Sequence, residues 1–220
     1  MSEYLSCVEV EPATAANAAI IWLHGLGADG NDFVPILPML LLPVGLAIRY
    51  ILPHAPVMAV TVNSGAIMPA WYDVMDFAAE RKYNHDDLLK SSAEVQALIE
   101  REIERGIPSE RIMLIGFSQG GAVNFQAALS YDKKLAGLLA LSTYFPTALS
   151  VTPTPANANL PIAIFHGAGD PLLPISLARS ARRQLEHMGL TPEFRTYDMG
   201  HEVCGEEIND IGGFIKSCLA

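Results

Sequence analysis

The chain has 220 residues, half of them apolar, with a formal charge of −10 and an isoelectric point near 4.9. That acidity argues against a phosphate-tracking nucleic-acid surface and against attraction to anionic lipid, and the length allows a sizeable core in a single domain over 1–220. Cys7, Cys204 and Cys218 match neither a zinc-site spacing nor a disulfide framework, and the opening MSEYLSCVEVEP lacks the basic and apolar regions of a secretory signal, so reduced thiols in a cytoplasmic protein are expected.

In chain order, the first apolar run, over 19–24, reads as a strand covered on both faces. Residues 33–48 follow without a charge, but Pro35, Pro38, Pro43 and Gly45 interrupt them and the stretch falls short of the ~20 apolar residues a membrane span needs. A buried loop with a short helix is expected there, with no stable membrane insertion. A second strand is expected over 46–52, and an elaborated loop beside the site over 53–76. Leu88, Val95, Leu98, Ile99 and Ile103 then recur at helical spacing, which predicts an amphipathic crossover helix.

Further strands are predicted over 112–117, 137–142, 162–166 and 194–199, with helices over 118–129, 176–187 and 202–216 and a proline-rich loop over 151–161. Strands alternating with helices imply a mostly parallel central sheet with helices on both faces.

The most informative segment is IMLIGFSQGG, in which Gly116-Phe117-Ser118-Gln119-Gly120 places G-x-S-x-G between a strand and a helix. The string and its context match the nucleophile-elbow pattern of the α/β-hydrolase fold, in which a strained strand-to-helix turn would expose the serine at the helix N-terminus. An N-capping serine is the structural alternative. As nucleophile, Ser118 would be helped by the backbone N–H of Gln119, a natural oxyanion donor.

Chain order in this fold puts an acid and then a histidine after the serine. His201, behind Gly200 at the end of the last strand, is the expected base. His187 near a helix end and His166 at a strand end suit structural roles. Asp170, in HGAGDPLLP after a strand, is the expected carboxylate, with Asp198 and Asp132 as competitors.

The loop HGLGADGN also satisfies the dinucleotide pattern through Gly25, Gly27 and Gly30. A dinucleotide site needs an acid about 20 positions on, yet residues 33–72 contain neither Asp nor Glu; Arg49 could face only a 2′-phosphate. The alternative is the second oxyanion loop, with the Leu26 N–H as donor and His24 as its support.

With those residues in view, the chain resembles the phospholipase/carboxylesterase family, which includes acyl-protein thioesterases and small bacterial carboxylesterases. WLHGLGADGNDF, RYILPHAP, MPAWYDV, IGFSQGGA, LSTY, HGAGDPLLP and YDMGHEV carry the resemblance in family order. It implies a hydrolase with minimal or no cap domain, acting on short to medium acyl esters and on fatty-acyl thioesters, with lysophospholipase activity as a variant. It also implies Ser118, Asp170 and His201 as catalytic residues, Leu26 and Gln119 as oxyanion donors, and Trp71 and Leu173 beside the acyl groove. Neither cofactor nor metal is expected. The expected partner is a small ester or acyl thioester, and the apolar, proline-rich segments leave room for a homodimer. The rivals are a dinucleotide-dependent oxidoreductase and a non-catalytic binding protein on the same fold.

Overall fold

The computed structural model describes residues 4–76 and 82–220. Its strands, in chain order, are β1 (Cys7–Val10), β2 (Ala18–Leu23), β3 (Ile48–Pro53), β4 (Val57–Val60), β5 (Ala66–Pro69), β6 (Ile112–Phe117), β7 (Gly137–Leu141), β8 (Ile162–Gly167) and β9 (Glu193–Tyr197). The α-helices are α1 (His85–Glu104), α2 (Gln119–Leu129), α3 (Ile175–His187) and α4 (Gly205–Leu219).

Seven strands form one sheet in the order β1-β3-β2-β6-β7-β8-β9, parallel throughout except for β1, which pairs antiparallel with β3. Alternation along the strands divides the core into two layers. Ala19, Ile21, Leu114, Leu138 and Ile164 face α1, α2 and α3 through Val95, Leu98, Val123 and Leu185. Their neighbours Ile20, Trp22, Met113, Ile115 and Phe165 face the opposite way, toward Phe33, Leu40 and the Ile208, Ile211 and Ile215 stripe of α4. Because both faces are covered, the central strands read in the sequence as unbroken apolar runs.

Helix α1 opens on Asn84, whose side chain accepts the N–H of Asp87 at 3.1 Å, with Asp86 and Asp87 in the first turn favouring the positive dipole end. Toward its C-terminus, the fully buried Glu102 carboxylate receives Arg49 of β3 at 2.8 Å, Arg101 at 3.1 Å and Arg105 at 2.9 Å. This knot of charge ties α1 to the end of the sheet where the parallel strands begin, so the opposite end is left to the strand-terminal loops.

Three features differ from the sequence reading. Strand β1 was absent from it, since CVEV is too short to show a period. Residues 53–76 contain a small antiparallel hairpin, β4 with β5, within the expected loop. Residues 34–40 form a 3-10 helix, but Leu41 and Val44 beyond it lie exposed, so that connection is only partly buried.

Glu207, in the first turn of α4, is fully enclosed, and burial pushes its pKa up to about 8 against the opposing pull of the Cys204 backbone N–H at the helix start. Since the folded pKa lies above the unfolded value, the folded chain holds a proton that the unfolded chain releases, and stability falls as pH rises from about 4.5 to about 8. Glu207→Gln is therefore expected to raise the unfolding free energy at pH 7 by roughly 2–3 kcal/mol and to have little effect at pH 4. Urea unfolding of both proteins at the two pH values measures this.

Candidate active site

Ser118 stands between β6 and α2 with φ 54° and ψ −119°, a conformation that L-residues rarely adopt. The flanking glycines permit this turn. A Cβ at Gly116 would lie 2.6 Å from backbone atoms of Gly120, and one at Gly120 would lie 2.6 Å from the Leu23 side chain of β2. The Ser118 N–H is committed to the Leu141 carbonyl at 2.9 Å, and Thr143 Oγ1 donates to the Ser118 carbonyl at 2.6 Å. The next amide, that of Gln119 at the first position of α2, has no acceptor within the helix.

Across the mouth of the turn, Ser118 Oγ lies 2.9 Å from His201 Nε2, and His201 Nδ1 lies 2.7 Å from Asp170 Oδ2. A carboxylate can only accept from His201 Nδ1, which fixes the proton there and leaves Nε2 to accept from the serine hydroxyl. Asp170 is itself pinned, its Oδ1 accepting the amides of Leu172 at 2.9 Å and Leu173 at 2.8 Å. His166 Nε2 donates to the Leu173 carbonyl at 2.7 Å, and burial lowers the His166 pKa, which keeps the ring neutral. Its sequence position suggested a core or turn role; it braces the turn that carries Asp170. Asp198 and Asp132 do not enter this chain of bonds.

The loop after β2 reaches the same place. His24 Nε2 accepts the Ala55 N–H at 3.1 Å, so the proton of the neutral ring sits on Nδ1, which donates to the Gly25 carbonyl at 2.7 Å. Burial lowers the His24 pKa, in keeping with a neutral ring. Because the peptide plane is trans, holding the Gly25 carbonyl toward His24 turns the Leu26 N–H to the other side. The glycines here serve close packing: a Cβ at Gly25 would stand 3.2 Å from the Phe117 ring, and one at Gly30 would strike the Leu52 carbonyl at 2.3 Å. A 3-10 helix follows them, where a dinucleotide fold would need the N-terminus of an α-helix.

Trp71 departs from its expected place beside the groove. It is fully buried and absent from the cavity wall. Its Nε1 donates to the His24 carbonyl at 2.8 Å, its N–H donates to Gln119 Oε1 at 2.8 Å, and its carbonyl accepts from Ser91. Trp71 is thus a strut joining the β2 loop, α2 and α1. An aromatic in an apolar run gives no sign in the sequence of which side it faces. The neighbours Tyr72 and Val74 take the wall position instead.

A cavity of about 230 Å³ opens over Ser118 and His201. Leu173, placed beside the groove by the resemblance, lines it, together with Leu26, Tyr72, Val74, Phe117 and Tyr144. The hydroxyls of Tyr72 and Tyr144 meet at 2.8 Å. Nothing in the spacing of residues 72 and 144 marks them as partners.

A strained G-x-S-x-G turn at the end of the central strand of a mostly parallel sheet, faced by a histidine and an acid from later strand ends, is the arrangement of the α/β-hydrolase fold. The phospholipase/carboxylesterase family profile matches residues 6–219, and the chain belongs to that family. It is 38% identical to acyl-protein thioesterase 1 of Neurospora crassa, over 94% of this chain and 90% of the relative. Among solved structures, it is similar to SOBER1 of Arabidopsis thaliana, with a TM-score of 0.86 and 31% identity over 93% of this chain and all of that one. Zea mays acyl-protein thioesterase 2 superimposes with a TM-score of 0.87 at 26% identity, covering 99% of this chain and 100% of that one.

Proposed function

We propose that Ser118 attacks the carbonyl of an acyl ester or thioester, with His201 taking its proton, Asp170 holding the imidazolium, and the N–H groups of Leu26 and Gln119 binding the oxyanion. Water then releases the acyl-enzyme with His201 as base. The observation that carries this is the unbroken line from Asp170 Oδ2 through His201 to Ser118 Oγ, 2.7 and 2.9 Å, beside an apolar cavity. The proposed substrates are short to medium acyl esters and, by likeness to the thioesterases, fatty-acyl thioesters. The protein is proposed to work in the cytoplasm. Among the described residues no helix is long and apolar enough to cross a membrane, and Cys7, Cys204 and Cys218 are free thiols.

The test is hydrolysis of p-nitrophenyl esters of rising chain length, set beside an S-palmitoyl peptide. An optimum in kcat/KM between butanoate and decanoate supports an acyl groove lined by Tyr72, Val74, Tyr144 and Leu173. Absence of turnover on every substrate would sink the proposal.

His24 gives a sharper check on the oxyanion loop. Its Leu replacement cannot hold the Gly25 carbonyl or accept the Ala55 amide, so the Leu26 N–H loses its aim. A fall in kcat of about 10² with KM changed less than about threefold is expected, since the lost bond forms chiefly in the transition state. Steady-state kinetics on p-nitrophenyl butanoate reads both numbers.

A further inference from the structure

The cavity straddles the edge of the sheet, and its two sides differ in chemistry. Tyr72, Val74, Tyr144 and Leu173 belong to the core layer shared with α1, α2 and α3. On that side the rim continues into residues 57–70, a stretch without any charge, with Val57, Ile67 and the nearby Leu172 exposed. The other side adjoins the layer shared with α4. There Phe117 packs on Phe33, ring centres 5.8 Å apart, and on His201 at 4.8 Å, and the exposed Asp32, next to Phe33 in sequence, is the acidic residue among those lining the cavity.

Among the described residues, the two segments that flank that second side in sequence carry acidic side chains. The β2 loop carries Asp29 and Asp32, and the segment presenting His201 carries the exposed Asp198, Glu202 and Glu206. No Lys or Arg occurs anywhere in residues 1–48, or between Arg195 and Lys216. In hydrolysis the group that leaves must take its proton from His201, so the leaving group departs on the histidine side. Phe117, whose ring touches His201, lies on that side, and Asp32 adjoins Phe33, whose ring packs on Phe117.

We infer that the carboxylate of Asp32, on the leaving-group side of the cavity, selects esters and thioesters whose leaving group carries positive charge. The inference rests on the hydrolase reading and adds the substrate class to it. A cation there gains Coulomb attraction to Asp32 and to the acidic rim, and the Phe117 ring offers an aromatic surface for an onium group. An anionic leaving group meets repulsion from the same residues. Because Asp32 is exposed, the effect is modest and screened by salt.

Two substrate pairs test it and separate two sources of the cation. Octanoyl choline is compared with the octanoyl ester of 3,3-dimethylbutanol, its neutral isostere, and an S-octanoyl cysteine peptide flanked by lysines with the same peptide flanked by glutamines. At low ionic strength the ratio of kcat/KM, cationic over neutral, is expected to be about three- to tenfold in at least one pair. The pair that shows it identifies a small onium alcohol or a basic peptide as the source. Asp32→Asn and Asp32→Ser are both expected to bring that ratio close to one, as is 0.5 M salt, whereas Asp86→Asn on α1 leaves it unchanged. Ratios near one in both pairs for the unaltered protein, or a ratio that survives both Asp32 substitutions, would overturn the inference. Turnover of the neutral substrates in those experiments leaves the hydrolase reading standing, and its absence condemns that reading instead.

Discussion

Ser118→Ala is expected to lower kcat/KM for ester hydrolysis by about 10⁴ to 10⁶ while leaving the fold intact. The hydroxyl is the nucleophile in the proposed mechanism, and alanine offers no atom from which His201 could take a proton. The remaining turnover would come from the oxyanion amides and from binding, which the substitution does not touch. Stability should change by less than about 1 kcal/mol, because the backbone of residue 118 is held by the Leu141 carbonyl and by Thr143, not by its own side chain. A fluorophosphonate probe gives a second readout: stoichiometric labelling of the unaltered protein, lost in the variant. Equal labelling of both proteins would reject Ser118 as the nucleophile.

Asp170→Asn is expected to cost about 10⁴ in kcat, and the reason lies in how the carboxylate is shared. One oxygen accepts two backbone amides, those of Leu172 and Leu173, and the other accepts His201 Nδ1. An asparagine has one carbonyl oxygen for both duties. Two amide donors outweigh one imidazole donor, so the oxygen stays with the turn and the NH₂ group faces His201. The imidazole must then carry its proton on Nε2, where it cannot accept from Ser118. Crystallography of the variant should show Ser118 and His201 little displaced, while kcat falls. If activity instead stays within tenfold of the starting protein, the carboxylate is not required for orientation and the assignment of Asp170 fails.

Both effects trace back to a site whose chemistry was legible before its geometry. G-x-S-x-G after a β-type run could be recognised because the turn excludes Cβ atoms at Gly116 and Gly120, and the sequence must record that exclusion. Asp170 and His201 were nameable because parallel strands deliver their C-terminal loops to one edge, in an order fixed by the fold. The predicted strands fell close to the observed ones where both faces are buried, since an unbroken apolar run is hard to mistake. Strand β1 and the β4–β5 hairpin, short and half exposed, lacked that signal.

The amino-acid sequence by itself determined the order of the buried parallel strands and the α-helices between them, the strained turn and the residue types that perform the proposed chemistry, because local backbone sterics and burial periodicity leave direct marks on neighbouring positions. Only the tertiary structure decided that Trp71 is a buried strut while Tyr72 and Val74 line the cavity, that the His24 ring holds the Gly25 carbonyl, and that Asp32 lines the same cavity as Ser118 and His201. Those assignments depend on which way a side chain points after distant segments have packed, and pairs such as residues 72 and 144, or 24 and 71, share no spacing that a one-dimensional pattern could carry.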